Sequence, residues 1–163
     1  MKNTGNLCFI TAVLFTLFSC QSEQEKLIQT KMDEIKGQWK ISSFESSSSA
    51  PNQLKGLIKS GIFVFKNCKA KNVIEERARC GADVELNGDI YSLSYRFDTN
   101  FTFSLTPVKT DGTGRVIYTP NDFLLKSLMD GNWEIVVKDN SMIGKQITPS
   151  TPNILSTFSA TRQ

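Results

Sequence analysis

The chain has 163 residues, 39% of them hydrophobic, and 19 Lys and Arg stand against 16 Asp and Glu for a formal net charge of +3. That length suits one domain, able to bury roughly two thirds of its unfolded surface in a single core, and the composition is that of a globule, with only Ser46 to Ser49 of low complexity. Basic and acidic residues alternate, as in Glu75, Glu76, Arg77 and Arg79, so no cationic face is concentrated and no nucleic-acid partner is expected.

Met1 and Lys2 open a short polar region, and residues 7–18 form an apolar run interrupted by Thr11 and Thr16. About 12 residues are too few to span a bilayer and suit the hydrophobic region of a secretory signal. Leu17, Phe18, Ser19 and Cys20 resemble the lipobox of bacterial lipoproteins, with Leu three residues before the Cys and a small residue just before it. The resemblance implies removal of residues 1–19 as a lipoprotein signal peptide and acylation of Cys20 on its sulfur and its new amino group. Several acyl chains, each worth about 0.8 kcal/mol per buried CH₂, would then hold the protein on a membrane. Gln21 is not the Asp that retains many Gram-negative lipoproteins in the inner membrane, so the outer membrane is implied. Gln21, Ser22, Glu23, Gln24 and Glu25 are similar to surface-export tags, which leaves both the periplasmic and the cell-surface face open.

Residues 20–36 would form the anchor and a short helix. Ser22 followed three residues later by Glu25 makes a capping box, and Ile28, Met32 and Ile35 recur at helical spacing up to Gly37. This apolar stripe either crosses one end of the domain or belongs to a solvated spacer. Residues 37–163 make the folded domain. A first strand over 38–44 sets Trp39 and Ile41 on one face, and residues 45–59, with Pro51 and a patch at Leu54, Leu57 and Ile58, read as a mobile loop with one helical turn. A second strand covers 61–65.

Cys8 would leave with the signal and Cys20 would carry lipid, so Cys68 and Cys80 remain as an even pair in an oxidising compartment. A disulfide between them is expected, worth about 3 kcal/mol for a loop of this size. No His occurs in the chain and no Cys pair has CxxC spacing, so a metal is not expected. The segment between these cysteines reads as a charged loop with a brief pairing at Val73 and Ile74.

Asn87 and Gly88 signal a two-residue hairpin turn, whose two positions need φ > 0. Tyr91, Leu93, Tyr95 and Phe97 alternate with Ser92, Ser94 and Arg96, and after a turn at 98–100 the pattern resumes in Phe101, Phe103 and Leu105. A period of two over both runs describes strands, not a helix. Asp111 and Gly112 mark a turn before a short strand over 115–118, and Asn121 would cap a helix over 122–128. Gly131, Asn132, Trp133, Glu134 and Ile135 then repeat the Gly, Trp and Ile spacing of the first strand. Strands over 131–137, 141–147 and 154–161 complete eight or nine, a meander that either closes into a barrel or packs as a sandwich.

Gly37 and Trp39 at the start of the first strand, with about eight meandering strands behind them, resemble the lipocalin-like domains of Gram-negative lipoproteins. The resemblance implies an all-β fold, a single antiparallel up-and-down barrel of about eight strands with a short N-terminal helix. It also implies that Trp39 closes one end of the barrel beneath Arg162, a contact worth about 0.5–2 kcal/mol. A closed eight-stranded sheet holds one small hydrophobic ligand if its interior is not filled. Tyr91, Leu93, Tyr95, Phe97, Phe101, Phe103 and Trp133 would line such a pocket or occupy it, and both readings stand.

Gly112, Thr113, Gly114 and Arg115 lack the Lys that a phosphate loop needs. The adjacent pairs Glu75 and Glu76, and Asp33 and Glu34, cannot converge on one bond from a strand, and without His a hydrolase triad cannot form. Asn100, Phe101 and Thr102 match a glycosylation sequon that carries little meaning in a bacterial lipoprotein. No enzymatic activity and no cofactor are expected. Two functions compete: a monomeric, membrane-tethered carrier of a small hydrophobic ligand, and a filled interaction module whose loops at 45–59 and 68–80 touch an envelope protein or glycan.

Overall fold

Alternating apolar side chains on successive strands need a common interior, and a sheet that curls until its first and last strands meet provides one without leaving an edge. In the computed structural model, which describes residues 22–47, 49–75, 79–152 and 154–163, the sheet does this. Its strands are β1 (Gly37–Ser46), β2 (Gly61–Phe65), β3 (Cys80–Leu86), β4 (Asp89–Phe97), β5 (Phe101–Pro107), β6 (Gly131–Lys138), β7 (Ser141–Pro149) and β8 (Ser156–Arg162). Each pairs antiparallel with the next, and β8 returns to β1, so the barrel is closed and up-and-down. The sandwich is thereby excluded.

Among the described residues three α-helices serve the barrel. Ser22 caps α1 (Glu23–Ile35), its Oγ accepting from the Glu25 N–H at 3.1 Å, and Ile28, Met32 and Ile35 are buried. The helix therefore packs across the lower end, where β1 begins, and is no solvated spacer. Beside it α2 (Ala70–Glu75) corrects the expected loop with a pairing at Val73 and Ile74. The cause is tertiary: Gln29 of α1 accepts from the Ala70 N–H at 2.9 Å and donates to the Cys68 carbonyl at 3.2 Å, and Val73 is buried. At the upper end, where β1 finishes, lies α3 (Pro120–Met129), together with a 3₁₀ turn at Asn52–Leu54 that buries Leu54.

Two further boundaries differ from the pattern reading. Thr119, not Asn121, caps α3, because Thr119 and Asp122 form a reciprocal capping box with Pro120 at the first turn. The strand expected over 115–118 is a single bridge between Thr110 and Val116. There the Asp111 carboxylate collects the N–H groups of Thr113 and Arg115 at 2.8 and 3.0 Å, and local side-chain bonds of this kind displace a ladder. The Asn87 and Gly88 turn has φ of 55° and 91°, as its sequence demands.

Candidate functional site

The residues proposed to line a pocket all point into the barrel, and none of the seven is more than 8% exposed. They meet one another. Phe65 lies 5.3 Å from Tyr95 and 6.1 Å from Phe103 between ring centroids, Phe103 lies 5.9 Å from Trp133, Trp133 lies 5.3 Å from Phe158, and Phe158 lies 5.2 Å from Phe63. Phe101 and Phe97 continue the series at 4.9 Å. Spacings of this order are those of touching rings, so side chains from five strands cross the interior in contact. At Gly144 of β7 an added Cβ would stand 2.1 Å from the Phe158 ring. The backbone itself thus fills part of this packing.

The lower end is closed by Trp39, which is fully buried. Its indole N–H donates to the Ile35 carbonyl at 2.7 Å, satisfying one of the acceptors left over at the end of α1. Arg162, register partner of Trp39 across β1 and β8, places its guanidinium carbon 4.5 Å from the indole centroid and donates to the Glu34 carbonyl at 2.9 Å. The pairing expected of Trp39 and Arg162 is present. Cys68 and Cys80 form a disulfide that ties α2 to the start of β3, with Cys80 Sγ 4.0 Å from Met32 Sδ of α1. Cys20 lies outside the described residues.

The upper end carries an ionised group that the sequence reading did not single out. Asp122 is buried and accepts from the Thr119 N–H and hydroxyl at 2.6 and 2.7 Å and from the Tyr91 hydroxyl at 2.9 Å. Burial alone would raise its pKa, but these three bonds outweigh it and hold the carboxyl below its ordinary value. Tyr91 is driven the other way, first by burial and then by its bond to Asp122. Tyr95, deeper in the barrel, is pushed up to about 12 by burial, with a smaller contribution from the charge on Asp33.

Asp130 and Lys126 were also missed, and they close a gap in the sheet. Strands β5 and β6 pair only from Phe101 to Phe103, which leaves the Leu105 backbone without a strand partner on that side. Asp130 accepts from the Leu105 N–H at 2.6 Å, Lys126 donates to the Leu105 carbonyl at 2.9 Å, and the two side chains pair with each other at 2.5 Å. Lys126 of α3 and Asp130, the residue that caps its C-terminus, thus replace a stretch of ladder. The signal available beforehand was the Thr119 to Asp122 spacing for the cap; nothing in the pattern marked the clamp.

Outside the barrel lie shallow depressions open to solvent. One of about 540 Å³ at the upper end is lined by Gln53, Lys55, Leu57, Lys59 and Asn87, within the loop considered for partner contact. The Asn87 amide ties that loop down, accepting from the Lys59 and Ser60 N–H groups and donating to the Leu57 carbonyl. Exposed apolar side chains gather at the same end on residues 108–123: Val108, Val116, Ile117, Tyr118 and Phe123, the last two stacked at 5.3 Å. Among the described residues no group of His, Cys, Asp and Glu could hold a metal ion, and no helix is long and apolar enough to cross a membrane. No family model matches the chain, and no curated protein and no solved structure matches it.

Proposed function

We propose that this chain is a lipid-anchored lipoprotein of the outer membrane, acylated at Cys20, whose lipocalin-like barrel is a filled scaffold that meets an envelope protein or glycan on its outer surface. The anchor half of this reading rests on Leu17, Phe18, Ser19 and Cys20; the observation that supports the filled scaffold is the run of ring contacts from Phe63 through Phe158, Trp133 and Phe103 to Phe65 and Tyr95. A packed interior has no volume for a ligand, so recognition falls to the outer surface, and the protein binds without catalysing. Cys20 precedes the cap of α1 by two residues, and α1 packs across the lower end, which supports a tether on that side. The basin near Lys55 and Lys59 and the exposed side chains of 108–123 lie at the opposite end, facing away from the membrane.

Two experiments test the two halves of the proposal. Growth with an alkyne-bearing palmitate should label the wild-type protein and leave a Cys20→Ser variant unlabelled; an unlabelled wild type or a labelled variant contradicts the anchor. In-cell cross-linking should recover partners that are lost when residues 49–59 and the exposed apolar positions of 108–123 are replaced together by short polar sequences. Undiminished recovery from such a variant, with its melting temperature preserved, contradicts the upper-end surface.

A further inference from the structure

One charged side chain on the barrel wall has no partner among the described residues. Arg96 of β4 is half-buried, its Nε is covered and has no hydrogen-bond partner, and among the described residues the guanidinium makes no hydrogen bond and no ion pair. Burying such a donor unpaired forfeits its hydration without return, and each case of it in a folded protein calls for a cause. Asp98, two residues on in the β4–β5 turn, is exposed, and its carboxylate likewise has no partner among the described residues. Both line one recess of about 200 Å³ with Thr99, Asn100, Thr102 and Asn132. The Asn132 carbonyl oxygen is taken by the Thr102 hydroxyl at 2.8 Å, which leaves its amide hydrogens for another acceptor.

An arginine and an aspartate that share a recess without pairing leave a fork of donors and a pair of acceptors side by side. A simple anion would use the first and be repelled by the second; an ammonium would do the reverse. A ligand with neighbouring hydroxyl groups uses both, since each hydroxyl donates one hydrogen and accepts through its lone pairs. The recess has the liquid volume of about seven waters, the scale of one sugar ring. A second depression of about 180 Å³ adjoins it across Arg96 and Asp98 and is walled by Ile28, Val73, Ile74 and Phe97, an apolar surface for the carbon face of a ring or an acyl substituent. We infer that the Arg96 recess binds a neutral saccharide unit, Arg96 donating to and Asp98 accepting from adjacent hydroxyls. The inference rests on the reading that recognition lies outside the barrel and is independent of the tether.

The test uses the full chain as the cell produces it, held in a detergent without a sugar headgroup. Saturation-transfer NMR is run against glucose, galactose, mannose and N-acetylglucosamine, with inorganic phosphate as the anionic control. At least one sugar should bind with a millimolar constant, and Arg96→Met and Asp98→Ala should each weaken it at least tenfold, as loss of a hydrogen bond to a charged group does. Asp98 lies on an exposed turn, so its variant keeps the fold even if the Arg96 variant does not. Phosphate binding that tightens on Asp98→Ala, with no sugar bound, would overturn the saccharide in favour of an anion. Silence from every probe would overturn the inference outright, while partner recovery through the upper-end surface would leave the scaffold reading standing.

Discussion

The chain uses one local device twice, and the two copies differ in what they hold together. In each, a helix ends two residues before a glycine with positive φ, 115° at Gly37 and 132° at Gly131, and a buried Trp two residues later donates its indole N–H to the carbonyl four residues back, from Trp39 to Ile35 at 2.7 Å and from Trp133 to Met129 at 2.8 Å. The first copy seals a rim. Trp39 has Arg162 over one face, and Lys36 just before Gly37 is exposed. The second builds the core: Trp133 touches Phe44, Phe103 and Phe158, and Asp130, in the place of Lys36, reaches into the gap between β5 and β6. Gly131 also has a backbone constraint that Gly37 lacks, for a Cβ there would stand 2.3 Å from the Thr148 carbonyl oxygen, whereas nothing approaches Gly37 within 4 Å. The same turn from helix to strand therefore serves as a cap where the neighbours are solvent and a cation, and as a keystone where they are rings.

The comparison breaks most heavily at the second copy. Trp133→Ala removes a side chain enclosed by three rings and should cost about 3–5 kcal/mol in chemical denaturation, with Trp39→Ala toward the lower limit because Arg162 and α1 can settle into the space. Next in size is the fastening of the lower end. Replacing Cys68 and Cys80 together by Ser should cost about 3 kcal/mol and speed amide exchange in α2, leaving β6 and β7 protected. Asp130→Ala frees a backbone N–H at the gap and should cost about 1–3 kcal/mol, whereas Lys36→Ala, its counterpart, should change stability by less than about 0.5 kcal/mol. Arg162→Ala, at an exposed position, should cost about 0.5–1 kcal/mol and shift the Trp39 emission without touching that of Trp133.

Titration sharpens the same contrast between upper end and core. The folded pKa of Asp122 is lowered, so its contribution is present above the unfolded carboxyl value near 4 and disappears as pH falls through the folded value; an Asp122→Asn variant should lose the acid-side slope. Tyr95 is raised from 10.0 to about 12, so the unfolded chain releases that proton first and stability falls as pH rises between those values. Tyr95→Phe should flatten that alkaline limb, measured by denaturation midpoints at successive pH.

The barrel was legible because its evidence is periodic. Tyr91 to Phe97 and Phe101 to Leu105 alternate without a break, Asn87 and Gly88 fix the hairpin register, and the repeated Gly and Trp spacing marks two strand starts. What the pattern did not carry is non-local. Helix α2 depends on Gln29 from a segment 41 residues earlier, and six residues have too little intrinsic helicity to declare themselves. The clamp of Asp130 and Lys126 depends on β5 outrunning β6, which only the register reveals. Whether seven inward side chains enclose a space or occupy it is a question of ångströms across the barrel, and no one-dimensional spacing contains it. Arg96 shows the same limit: an alternating strand places it outward, but its lack of a partner is a property of neighbours on other strands.

A solid interior can be tested directly by titrating the protein with N-phenylnaphthylamine while energy transfer from Trp39 and Trp133 is recorded. Rings in contact from Phe63 to Tyr95 predict no saturable transfer up to the solubility of the probe. Saturable one-to-one transfer that vanishes in a Phe103→Trp variant, where the larger ring would take up any free volume, would show a chamber inside the barrel and contradict the filled scaffold.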